Sequence, residues 1–197
     1  MSILFNMAIF LITSALTVRF FRKDGKWSIQ NGKKAFRFFT VQSNVFCAVS
    51  ALLMCIFPGS RAVWLVKYAG TAAVCVTMMT VLFYLGPLYG YKKLLSGTDL
   101  FMHLITPLLA LVSFCVWEKR GLAFSEALWG LAPVVLYGAL YMYRVVFCPK
   151  GKPETPKKAW EDFYGFDRAG KWPISLAGML AGTFLICMGL MALQNIQ

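Results

Sequence analysis

Histidine is almost absent from this chain: there is one, His103, in 197 residues. A single imidazole argues against a haem held by two histidines and against a histidine-rich zinc centre. Acidic residues are also scarce, eight against twenty Lys and Arg, and charged residues make up only 14% of the chain. A soluble domain carries about 25%. Within the apolar segments the only acids are Asp99 and Glu126, each near a segment start. A proton-coupled carrier shows buried charge nearer the membrane centre, so this shortage argues against that class. The six cysteines (47, 55, 75, 115, 148 and 187) form no CxxC pair, and five lie in apolar segments. That pattern reads as packing thiols rather than a disulfide framework. No cofactor is expected.

Apolar residues are abundant: 59% of the chain, with a mean hydropathy of +0.64. One buried core helix explains one long apolar run, not six. A helix needs about 20 residues to cross the hydrocarbon. The runs at 3–20, 40–57, 64–86, 99–117, 124–146 and 173–193 satisfy that. The first run lacks a preceding basic residue and ends in Arg19, Arg22, Lys23 and Lys26, which reads as a retained helix rather than a cleaved signal. Pro58-Gly59 is expected to stop the second span and Gly86-Pro87 the third, while Pro107 and Pro133 kink the fourth and fifth. The expected fold is all-α: one six-helix transmembrane domain over residues 1–197.

Basic residues set its orientation. Sixteen of twenty gather in loops one, three and five or at the adjoining helix ends: Arg22 to Arg37, Lys92 and Lys93, Lys150 to Lys171, with Arg19 and Arg144. Arg61, Lys67, Lys119 and Arg120 fall on the alternate side. The positive-inside bias places the basic loops in the cytoplasm and both termini outside, in a multi-pass protein of the cell membrane. Because the positive charge sits in loops beside anionic lipid, no nucleic-acid partner is expected.

Polar residues gather toward the cytoplasmic half. In the second span Thr40, Ser43, Asn44 and Cys47 are spaced i, i+3, i+4, i+7 and share one helical face. In the fourth, Asp99 and His103 are four apart, and Thr106 extends that edge. Tyr84, Tyr89, Tyr137, Tyr141, Arg144, Trp172 and Ser175 lie at similar depth, whereas AVSALLMCIF (48–57) and ALVSFCVW (110–117) make the outer halves blander. An aromatic belt accounts for tyrosines and Trp172, and interhelical hydrogen bonds account for Ser43 and Asn44. His103 has three readings: a structural hydrogen bond, a two-ligand metal site with Asp99, or a general base. As a base it needs one alcohol to deprotonate. Thr40 and Ser43 are the candidate nucleophiles, Asp99 the group to orient the ring, and Asn44 an amide donor to a developing oxyanion.

The motifs FFTVQSNVF (38–46) and HLITP (103–107) resemble the bacterial Pr6Pr membrane proteins. More distantly they resemble the androgen-induced protein 1 and ADTRP family of multi-spanning lipid hydrolases. The resemblance implies a threonine nucleophile early in span two and a histidine base in span four, matching Thr40 and His103. It implies a membrane lipid or fatty-acyl ester as substrate, such as a fatty acid ester of a hydroxy fatty acid. Where that family favours a Tyr-Pro stretch, this chain reads DFYGFDRAGKWP (162–173), a lid or a simple connection. Ser43, Asn44, Asp99, Thr106, Tyr84 and Tyr141 are the expected supporting or substrate-binding residues, with no metal ligands. The function expected is an intramembrane esterase. A noncatalytic lipid-binding or scaffolding protein and a lipid acyltransferase are the alternatives.

Overall fold

Small residues set the centre of the molecule. In the stretch AGTAAVCVT (69–77) no side chain exceeds valine in size, and all nine residues are buried. Small side chains let neighbouring backbones approach, the main source of helix association inside a membrane. The computed structural model describes residues 1–148, 160–167 and 170–196. In chain order they form α1 (Ser2–Phe20), a hairpin of β1 (Arg22–Lys23) and β2 (Lys26–Trp27), α2 (Ile29–Ala35), α3 (Phe39–Ile56), α4 (Arg61–Tyr89), α5 (Tyr91–Leu94), α6 (Gly97–Trp117), α7 (Phe124–Phe147) and α8 (Trp172–Asn195).

Six of these, α1, α3, α4, α6, α7 and α8, are long and apolar enough to cross a membrane, as a multi-pass protein requires. The expected spans lie on them with ends shifted by a few residues. The central helix is α4: it packs against α3, α6, α7 and α8, while α1 closes on α3 and α6. Burial follows from that position, 61% of the α4 window against 17% for α8. One end of the bundle carries the connections with Arg22, Lys92 and Lys171, and the other carries Pro58, Arg61 and Lys119. Five loop-five basic residues (Lys150, Lys152, Lys157, Lys158 and Arg168) lie outside the described residues.

Two sequence expectations change. Gly86-Pro87 does not stop the third span, because α4 continues through it to Tyr89. Residues Val81–Leu85 adopt a wider π turn, in which the Gly86 N–H reaches the Val81 carbonyl. Pro87 has no N–H for the next carbonyl, Leu82, and the Tyr91 hydroxyl supplies that hydrogen bond at 2.8 Å. Lys67 is not in a connection either: it lies inside α4, fully buried.

At Gly70 the backbones of α3 and α4 come together. An added Cβ there would sit 2.7 Å from Ser50 Oγ and 3.0 Å from the Cys47 Cα, and the second neighbour is backbone. Gly70→Ala is therefore expected to separate α3 from α4 and to cost about 1–3 kcal/mol. Thermal unfolding in detergent reads this; an unchanged midpoint contradicts the packing.

Candidate functional site

The second proline, Pro107, organises the site. Residues Phe101–Ile105 of α6 form another π turn, with the Thr106 N–H on the Phe101 carbonyl. Pro107 leaves the following carbonyl, Met102, without its backbone donor. The Asn44 amide takes it: Nδ2 donates to Met102 O at 2.9 Å and to Thr40 O at 2.8 Å. One side chain thus fastens the start of α3 to α6 beside His103. Both amide hydrogens are in use, so Asn44 is a positioning residue and not the free oxyanion donor expected from the sequence. Its Oδ1 is buried without a partner among the described residues.

His103 is 8% exposed. Its Nδ1 lies 2.7 Å from the Leu94 carbonyl oxygen at the end of α5. An oxygen acceptor there places the hydrogen of the neutral ring on Nδ1 and leaves the lone pair on Nε2. Asp99, expected to orient the ring, is exposed in the first turn of α6, and the Leu94 carbonyl holds Nδ1 instead. Thr106 is fully buried, and its hydroxyl has no partner among the described residues.

No hydrogen bond joins Thr40 to His103 among the described residues. Half-buried in the first turn of α3, Thr40 lines a cavity of about 590 Å³ between α4, α7 and α8. Thr77, Thr80, Tyr84 and Tyr141 share the lining, so the candidates Thr40, Tyr84 and Tyr141 come together there, without His103. Ser43 turns to α4 and exchanges a 2.9 Å hydrogen bond with Thr77. A lateral groove of about 630 Å³ lies between α3 and α7, lined by Ser43, Phe46 and Leu136. Phe39 and Tyr137 border both spaces.

The segment 160–167 contributes Tyr164 and Phe166 to the cavity lining. Phe163, Tyr164 and Phe166 pack on the Tyr141 ring at 5.1, 5.3 and 5.6 Å between centroids. Tyr141 also bonds Asp162 at 2.9 Å. The Tyr164 hydroxyl accepts the Phe39 N–H at 3.1 Å, capping a helix whose N-cap residue, Phe38, offers no side-chain acceptor. Burial raises the Tyr164 hydroxyl above its ordinary pKa, and hydrogen bonding, the Phe39 N–H first, partly offsets this. Tyr164 was missed from sequence, where DFYGFDRAGKWP gave no depth for it.

Among the described residues no three His, Cys, Asp or Glu side chains converge as metal ligands. No protein-family model, curated protein or solved structure matches the chain. Asn44→Leu is expected to strand the Met102 carbonyl at about 1–3 kcal/mol, lowering the unfolding midpoint in detergent. Wild-type stability in that variant would contradict the bridge.

Proposed function

We propose that this protein binds the acyl chain of a membrane lipid in the α4/α7/α8 cavity and hydrolyses its ester, with Thr40 as nucleophile and His103 as base. One observation carries the reading: Thr40 lines, with Tyr164 and Phe166, a mostly apolar cavity whose volume falls within the range of small-molecule sites, roughly 300–1,000 Å³. In this reading the basic end faces the cytoplasm, and the ester enters from the inner leaflet.

The chemistry follows from the local parts. Tyr164 withdraws from the start of α3, and the ester carbonyl oxygen takes its place on the Phe39 and Thr40 N–H groups. Backbone donors at a helix start suit developing negative charge. The next step requires Thr40 to approach His103; the proton of Thr40 Oγ then passes to Nε2 of His103 while Oγ bonds to the carbonyl carbon. The carbon–alkoxide bond then breaks, the alkoxide takes the proton, and water releases the acid from Thr40. The tautomer set by Leu94 suits this step, because Nε2 holds the lone pair. The two spaces flanking Phe39 and Tyr137 fit an ester joining two apolar chains, one in each. The FFTVQSNVF and HLITP resemblance supplies the threonine–histidine pair itself.

A second reading is noncatalytic lipid binding. It draws on His103, whose ring is held on Leu94 with no hydrogen bond to Thr40 among the described residues. Turnover of a fatty-acyl ester by purified protein in vesicles separates the two. The esterase reading expects Thr40→Ala and His103→Ala each to lose about 100-fold or more in kcat, with lipid binding retained. Full turnover in both variants would eliminate the pair, and binding without wild-type turnover would leave the lipid-binding reading.

A further inference from the structure

A second polar centre lies toward the opposite end of the bundle, away from the lipid cavity. Lys67 of α4 is 0% exposed, Glu118 beyond α6 is 4% and Asn6 of α1 is 1%. Glu118 Oε1 is well supplied: Ser2, Asn6 and Ser113 all donate to it. Glu118 Oε2, Asn6 Oδ1 and Lys67 Nζ have no hydrogen-bond partner among the described residues. The three groups share one neighbourhood. Trp64, one turn before Lys67, donates its indole N–H to the Glu118 carbonyl at 2.7 Å, and Asn6 donates to the Glu118 carboxylate. No direct ion pair joins Lys67 to Glu118 among the described residues.

A buried ammonium without an acceptor is strongly penalised, and so is a carboxylate oxygen without a donor. The groups are complementary but not in contact. What completes them must accept from Nζ and donate to Oε2 and Oδ1. Water does both and commonly serves buried polar groups in this way. Toward His103 the helices meet in an apolar cluster of Ile9, Cys47, Ala51, Val74 and Ala110, all fully buried. We infer that Lys67, Glu118 and Asn6 enclose a water-binding site, a hydrated charge pair at the Ser2 end of the bundle. It ties α1 to α4 and α6 independently of any lipid chemistry.

The test is a double-mutant cycle on the full chain in detergent, with Lys67→Met, Glu118→Gln and the pair. Each single change strands an opposite group and lowers the midpoint; the double removes both charges and recovers more than half of the summed loss. Single variants that fail to fold beside a folded double would show the same coupling. Additive losses, or a double that also fails to fold, would overturn the inference. An experimental map of the wild-type chain is the independent arm. Density for water between Nζ and Oε2 is expected, and direct contact or an empty gap would overturn it.

Discussion

The Asn44 bridge is the contact on which the rest of the site depends. A proline in a membrane helix leaves a carbonyl unsatisfied, and hydrocarbon offers no substitute donor. Here the freed Met102 carbonyl is answered by a side chain from α3, which holds the Thr40 carbonyl with the same nitrogen. The start of α3 is therefore located relative to α6 by a local backbone defect. Thr40 and His103 inherit their positions from it. So does the cavity lining at Tyr164, which docks on the first N–H of α3.

α4 provides the complementary constraint. Its small-residue stretch lets α3, α6, α7 and α8 approach a common axis, and its Thr77 ties it to Ser43 near the site. The interior then divides by chemistry. Between α4, α7 and α8 it is a mostly apolar space with hydroxyls near the basic end. Between α1, α3, α4 and α6 it holds charge at the other end, then a mainly apolar cluster, then Asn44, Thr106 and His103. The apolar cavity and the buried charge thus lie in separate parts of the bundle.

The six long apolar helices were legible because run length is visible in composition, and the Thr40–Ser43–Asn44 stripe was legible from helical period. Partners were less so. Asn44 read as an interhelical hydrogen bond or an oxyanion donor, and its acceptor was not legible because the Met102 carbonyl is freed only by the π turn before Pro107. Asp99 read as the group orienting His103, since i, i+4 spacing predicts contact; the chain instead brings Leu94 back from α5. Lys67 was counted with topology-setting charge although it falls within 64–86, and Glu118 lies one residue past the expected end of span four. Asn6, a buried amide in the first span, was the overlooked signal that this half is not bland. Tyr164 depends on the tertiary path of a connection whose local sequence carries no periodicity.

Covalent labelling tests the central claim most directly, since it reports on Thr40 in the intact protein without assuming a natural substrate. A fluorophosphonate bearing a long alkyl chain, followed by peptide mass analysis, is predicted to place the adduct on Thr40 and to lose it in His103→Ala. Modification confined to other residues, or none at a probe concentration that saturates the cavity, would contradict a nucleophilic threonine at this site.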